Sequence, residues 1–526
     1  MPALFFDMRR ISIFALASLL LGLAACGGTQ SEQEQRIPKR EFRGAWLHIV
    51  GNQTIKTMTT DQVKAWIAGT LDSLQMAGCN AVVYQVRPQA DAFYQSDIEP
   101  WSRFLTGVQG QAPQPYWDPL EFAIEESHKR GMELHAWLNP YRVTSNDKEV
   151  LCPEHLYWRK PEIFLKYGKQ LYFDPGEPES VEHTVKVISD IVARYDVDAI
   201  HFDDYFYPYP EGKTDFPDTA SFRKYAAAQG FGPDQLADWR RNNVTTLISE
   251  CNKAIKSIKP WVRFGISPFG VHRNSFQDPS GSATRNLSTY DELYADIPLW
   301  CRMGIIDYNA PQLYWKIGYE SSDFEVLIKW WNDGDFGGHL YIGQNIGTLS
   351  APDLKDSADC QLGAKMRLVR EMPNVHGNIW WPGWSIVQSA RPRRPHAGPQ
   401  RPGAPRRQLN LMDSLMNKYQ KDIALIPAYT RLDDVAPDPV AFVGTGGGYL
   451  FWDVAPEDDP MQEPGFYVVY KFPKGTKVDI DDSRRIVALT KDKKYSLPEE
   501  AEGSRYVVTV TDHCWNESVP SRAVKW

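Results

Sequence analysis

Residues 119–142 read PLEFAIEESHKRGMELHAWLNPYR and contain one complete helix-to-strand step. Pro119–Arg130 carries a helical pattern, and Gly131 stands where a helix should stop on a left-handed residue. Glu133–Tyr141 follows as a short apolar and aromatic run, which favours a strand. The step recurs along the chain. Phe42–Val50, Ala81–Arg87, Ala199–Tyr205, Phe264–Gly270, Ile305–Trp315, Leu340–Ile346 and Gly377–Pro382 read as further strands. Asp61–Ala77, Ser180–Tyr195, Pro233–Ile258, Phe324–Asn332 and Ser357–Arg370 read as helices, with Gly78 ending the first. Eight strands alternating with helices predict an α/β fold, a (β/α)₈ TIM barrel spanning residues 40–430. A doubly wound open sheet is disfavoured because no Gly-rich phosphate turn follows the first strand.

The periodicity changes near residue 433. Pro437–Val443, Tyr449–Val454, Gly465–Phe472, Arg485–Leu489 and Tyr506–Asp512 are separated by Gly, Pro and Asp turns without helical stretches. They predict a small all-β sandwich domain over 431–526, similar to a fibronectin type III module. Gly444–Gly448 reads as a flexible loop or hairpin turn, because it lacks the strand-then-helix setting of a phosphate loop. Ala390–Arg407 fits neither domain. Thirteen of its 18 residues are Arg, Pro or Gly and none is acidic, so it reads as an extended excursion without a packed core.

Composition narrows the function classes. The 526 residues include 58 Lys+Arg and 66 Asp+Glu, a net charge of −8; without the six arginines of 390–407 the rest carries −14. Such a chain, with no pervasive basic stripe, is not built to neutralise phosphates, so no nucleic-acid partner is expected. Seven scattered Cys without a CxxC pair exclude a disulfide framework and a zinc ribbon. The 18 Trp and 25 Tyr supply flat apolar faces with polar edges, suited to sugar rings or to a large aromatic core.

Arg9 and Arg10 precede an uncharged run from Ile11 to Ala25, too short for a comfortable membrane span of roughly 20 residues. Leu23-Ala24-Ala25-Cys26 resembles a bacterial lipoprotein signal box. That resemblance implies a signal peptide over 1–25, lipidation of Cys26, a polar tether over 26–39 and attachment to a membrane through acyl chains. Gly27 after the Cys points to the outer membrane of the cell envelope.

In a TIM barrel the reacting groups project from the C-terminal ends of the strands. Reading those ends gives Gln85-Val86-Arg87-Pro88, Leu138-Asn139-Pro140-Tyr141-Arg142, His201-Phe202-Asp203-Asp204-Tyr205, Ser267-Pro268-Phe269-Gly270, Gln312-Leu313-Tyr314-Trp315 and Trp380-Trp381-Pro382-Gly383-Trp384. Asp203-Asp204 is the sharpest signal. Two close carboxylates repel when both ionise, so one should hold its proton longer, separating a proton donor from an anionic stabiliser. Glycoside hydrolysis needs that division. The competing reading is a helix cap or ion-pair site. HExxH, GxSxG and P-loop motifs are absent from the sequence, and no metal or other cofactor is expected. His48, His135 and His201 lie on predicted strands and read as hydrogen-bonded core or subsite residues.

These strand-end phrases, with Phe42-Arg43-Gly44-Ala45-Trp46, resemble the family-10-like glycosyl hydrolase lipoproteins, some of which cleave peptidoglycan glycan strands stripped of stem peptides. The resemblance covers roughly residues 38–430. It implies glycosidase activity on a 2-acetamido sugar polysaccharide. The seventh strand end, Gly343-Gln344-Asn345-Ile346-Gly347, offers no carboxylate for a Glu nucleophile. The adjacent acids are similar instead to glycosidases that use the substrate's acetamido group. On that likeness Asp203 orients the acetamido group and Asp204 is general acid, then base, or the two exchange roles. Asn139, Tyr141, Arg142, Gln312 and Tyr314 would hold hydroxyl and acetyl groups, and Trp46, Trp315, Trp381 and Trp384 would stack on sugar faces. Arg87 would take a lactyl carboxylate through its planar fork. His48, Gln85, His201, Tyr205 and Asn345 complete the expected lining. The alternatives are a non-catalytic glycan-binding lipoprotein and a hydrolase of a dietary or host glycan.

Overall fold

The structure, a computed structural model, describes residues 37–52, 54–349, 361–389, 411–499 and 503–526. Cys26, the signal segment 1–25, nearly all of the tether and the Arg/Pro stretch 390–407 lie outside the described residues. Eight parallel strands close into a barrel in chain order: β1 (Phe42–Leu47), β2 (Ala81–Arg87), β3 (Glu133–Leu138), β4 (Ala199–Phe202), β5 (Arg263–Ile266), β6 (Tyr308–Asn309), β7 (His339–Asn345) and β8 (Val375–Trp381). Closure is made by β8 against β1, with Phe42 opposite Gly377 and Ala45 opposite Trp380.

The helices arise where the sequence patterns place them, among them Thr60–Met76, Pro119–His128, Pro178–Arg194, Leu236–Ile258, Phe324–Gly334 and Leu362–Glu371; the start of the helix expected over Ser357–Arg370 lies outside the described residues. Thr59 and Gln62 form a reciprocal capping box at the first, and the Asp118 carboxylate accepts from the amides of Leu120 and Glu121 at the second. Gly78 and Gly131 adopt φ of +80° and +68°, the left-handed stop inferred from sequence.

Two features depart from expectation. The sixth strand is only two residues long, because Pro311 supplies no amide donor, and the chain continues through isolated bridges from Gln312 to Phe269 and Gly343. An unpredicted hairpin, Phe164–Tyr167 with Gln170–Phe173, follows β3 on the C-terminal face, where Arg142 bridges to Tyr172.

Aromatic rings and imidazoles fill the barrel interior. Phe42 stacks on Tyr341 at 4.0 Å, and Tyr308 lies between His135 and His201 at 5.4 and 5.8 Å. Gly265 is what admits Tyr308, since a Cβ there would come within 1.8 Å of its ring.

The C-terminal region forms two all-β sheets: β9 (Phe442–Gly446), β10 (Tyr449–Asp453) and β13 (Lys494–Ser496) in one, β12 (Ile486–Thr490), β11 (Phe466–Phe472), β14 (Arg505–Thr511) and β15 (Val524–Lys525) in the other. Gly447 and Gly448 turn the β9–β10 hairpin. β11 buries both faces. Tyr467 and Val469 pack against the first sheet, while Phe466, Val468, Tyr470 and Phe472 join the cluster at the closed end of the barrel with Phe42 and Tyr341. Polar ties reinforce that contact: Arg263 donates to the His513 carbonyl at 2.7 Å and the Trp515 indole to Glu133 at 2.5 Å. Among the described residues no helix is long and apolar enough to cross a membrane.

Candidate active site

A cleft of about 270 Å³ opens at the C-terminal strand ends, lined by Trp46, His48, Val50, Gln85, Trp137, Arg142, Asp203, Asp204, Tyr205, Ser267, Gln312, Tyr314 and Trp381. A larger groove of about 590 Å³ lies on the barrel flank, built mainly on the helices that carry Lys64, Glu121, Glu125 and Arg194. Its Asp118 is already committed as a helix cap, so it offers no comparable convergence of reactive groups.

Asp203 and Asp204 immediately follow β4, and each is only 4% exposed. Asp203 accepts from the Trp137 indole at 3.0 Å and from the Asn139 amide at 2.9 Å. Asp204 is hydrogen-bonded by the Tyr209 hydroxyl and accepts from Gln312 Nε2 at 3.2 Å. Burial pushes the Asp203 carboxyl up to about 7; the Arg142 guanidinium opposes that rise and the charge of Asp204 adds to it. Asp204 is also raised by burial, against the hydrogen bond from Tyr209. Two adjacent acids that both resist ionisation titrate as a unit, and loss of one proton makes the second harder to remove. Tyr205 and Tyr314 are held firmly as phenols, Tyr205 chiefly by the neighbouring Asp204 charge and Tyr314 chiefly by burial.

The flanks are equally ordered. Arg142 donates from Nε to the Pro88 carbonyl at 3.1 Å, lies 5.1 Å over the Tyr205 ring and makes no ion pair among the described residues. Gln85 fixes the loop after β1 by accepting from the amides of Ile49 and Val50 at 2.8 and 2.9 Å. Its Nε2, like His48 Nδ1, is buried without a hydrogen-bond partner among the described residues. His48 tilts against Trp381 at 4.8 Å.

Several expected lining residues lie elsewhere. Arg87 is fully buried in a two-pronged pair with Glu99 at 2.7 and 2.6 Å and also donates to the Asn139 carbonyl, so its guanidinium does not line the cleft. Tyr141 is buried outside the cleft, because Asn139 Oδ1 accepts the Tyr141 and Arg142 amides and turns the chain there. Trp384 stacks on Trp66 at 4.6 Å, and Trp315 packs edge-on against Phe269. Asn345 ends β7 outside the lining, Asn139 acts from behind Asp203, and His201 sits beneath Trp46 rather than in the wall. Conversely, Trp137, Tyr209 and Ser267 were not among the residues expected to bind. Trp137 follows from strand parity with His135, and Ser267 lies in a quoted strand end. Tyr209 reaches back from a Pro-flanked turn that no periodicity announces.

The model of the family Glycosyl hydrolase-like 10 matches residues 41–359. The glycosyl hydrolase YngK of Bacillus subtilis (strain 168) is 36% identical over 507 residues, covering 92% of this chain and 93% of that protein. The glycosyl hydrolase DigH of Escherichia coli (strain K12) is 37% identical over 361 residues, 62% of this chain and 80% of its own. Among solved structures, the endo-β-1,4-mannanase from Thermotoga petrophila aligns with a TM-score of 0.42 at 11% identity, covering 93% of this chain and 97% of that one. With the family model spanning most of the barrel and a relative matched along nearly the whole chain, the protein belongs to the Glycosyl hydrolase-like 10 family and is a glycoside hydrolase.

Proposed function

We propose that the cleft hydrolyses a polysaccharide of 2-acetamido sugars, specifically peptidoglycan glycan strands, with the substrate's own acetamido oxygen as nucleophile. The observation that carries this reading is the pair of adjacent carboxyls in unlike settings. Asp203 is held from behind by two N–H donors on the β3 end, an arrangement that fixes an acceptor in place. Asp204 faces a hydroxyl and an amide from other elements.

In this scheme Asp203 accepts the acetamido N–H, a hydrogen bond that favours its ionised form and leaves the remaining proton of the pair on Asp204, and aims the carbonyl oxygen at the anomeric carbon. Asp204 gives its proton to the departing glycosidic oxygen as the carbon–oxygen bond breaks. The resulting carboxylate then takes a proton from the water that opens the cyclic intermediate, which restores the starting state. The end of β7 supports a substrate-borne nucleophile, since Gln344 and Asn345 stand there in place of an acid.

Arg142, without an ion pair among the described residues and beside the carboxyl pair, is the group suited to a lactyl carboxylate. Gln85 Nε2 and His48 Nδ1 are polar atoms that sugar hydroxyls would satisfy. Trp46 and Trp381 offer stacking faces. Anchorage in the cell envelope through lipidated Cys26 goes with that substrate, supported by the basic, apolar and Cys-terminated leader.

The test is release of reducing ends from denuded glycan strands. Folded Asp203→Asn and Asp204→Asn variants should each lose roughly 10²–10⁴-fold in rate. Asp204→Asn, lacking the acid, should recover on an aryl glycoside with a good leaving group, and Asp203→Asn should not. Wild-type rates in both variants would sink the assignment.

A further inference from the structure

The axis of the barrel carries an unbroken chain of hydrogen bonds from the C-terminal sheets to the cleft. The Trp515 indole donates to Glu133 Oε1 at 2.5 Å, and Arg263 pairs with the same carboxylate. Glu133 Oε2 meets His135 Nε2 at 2.8 Å, and His135 Nδ1 meets the Tyr308 hydroxyl at 2.8 Å. That hydroxyl meets His201 Nδ1 at 2.8 Å, and His201 Nε2 meets the Trp46 indole nitrogen at 3.1 Å. His135, His201 and Tyr308 are fully buried, so bulk water does not compete for these partners.

The donors in this chain can be assigned in order. Indole nitrogen only donates, so His201 Nε2 must accept from Trp46. Burial holds His201 neutral, so its one ring proton is on Nδ1, donated to Tyr308. Tyr308 is kept as a phenol by burial, and its single proton goes on to His135 Nδ1. His135 then donates from Nε2 to Glu133, which Arg263 keeps ionised against the effect of burial. Every link from Trp46 to Glu133 points the same way, towards the ion pair at the closed end, where the Trp515 indole donates to the same carboxylate from the other side.

We infer that Tyr308 is a positioning residue: by accepting the Nδ1 proton of His201 it holds that imidazole in the tautomer whose bare Nε2 anchors the Trp46 indole in the cleft wall, with the other end of the chain secured by Trp515 of the C-terminal sheets. The Nδ1–H form is the less populated one for a free histidine side chain, so something must select it. In the other tautomer two N–H groups would face each other at the 3.1 Å contact, and the indole would have to turn away. The C-terminal sheets are on this account part of the machinery that shapes the cleft. Only the kinetic half of the test rests on the cleft being a sugar site.

The experiment uses the full chain labelled with ¹⁵N-histidine, the His201 ring signals being identified by their loss in His201→Gln. Wild-type His201 should show a protonated Nδ1 and an unprotonated Nε2. Tyr308→Phe should move the proton to Nε2, and KM for glycan strands should rise about tenfold, with kcat changed far less. A wild-type His201 protonated on Nε2 overturns the inference whether or not the variant folds. A folded Tyr308→Phe with unchanged tautomer also overturns it, and a switched tautomer with unchanged KM overturns the coupling to Trp46. If the wild type releases no reducing ends, the proposed substrate fails while the tautomer result still judges the relay.

Discussion

Replacing Arg142 with glutamine removes the cation beside the carboxyl pair while keeping a side chain able to donate to the Pro88 carbonyl. Arg142 lowers the Asp203 carboxyl, which burial nevertheless places at about 7. An opposite charge within about 4–6 Å typically lowers a carboxyl by roughly 1–3 pH units. Arg142 is a smaller influence than burial on this carboxyl, so the low end of that range, about 1 unit upward, is the expected rise on its removal. The sign follows from the mechanism. In the proposed scheme Asp203 is ionised to accept the acetamido N–H, so kcat/KM should rise as pH passes upward through its titration, and loss of Arg142 should move that limb to higher pH. Well below the limb the variant should be about tenfold slower than the wild type, and above it the two should converge. A neutral aryl glycoside of a 2-acetamido sugar is the substrate of choice, because it separates the electrostatic effect from any contact with a lactyl carboxylate. An acid limb that stays in place, or moves to lower pH, refutes the reasoning.

Two further outcomes test the placement of side chains. Arg87→Met breaks a fully buried ion pair and should cost about 3–5 kcal/mol in denaturant unfolding, without a selective loss of acidic over neutral glycans in KM. Gly265→Ala places a methyl against a Tyr308 ring hemmed in by His135, His201 and Tyr341; overpacking and loss of the two imidazole contacts should together cost about 3–5 kcal/mol, read as a lower midpoint at an unchanged slope.

The strand ends were legible because alternation of short apolar runs with helices is a local pattern, and a closed parallel barrel brings all such ends to one face. That logic placed Asp203, Asp204, Gln85, Gln312 and Trp46 together. It fails at Arg87 for an identifiable reason. Arg87 has the same parity as Gln85, but the β2–β3 pairing slips between them, and the bulge releases the guanidinium from the inward row towards Glu99. Tyr141 fails similarly, because the Asn139 side chain caps the following amides and breaks the alternation one residue past β3.

Sequence alone therefore determined the barrel, the all-β region after it and the acid pair at the fourth strand end, since backbone sterics and hydrophobic period act over a few residues. Only the tertiary structure decided which cation faces the cleft, that Trp137 and Tyr209 hold the two carboxyls, and that the last strands complete the barrel's closed end. Those decisions rest on partners such as Glu133 and Trp515, 382 residues apart, whose meeting depends on barrel closure and on a buried carboxylate that must find every donor it can.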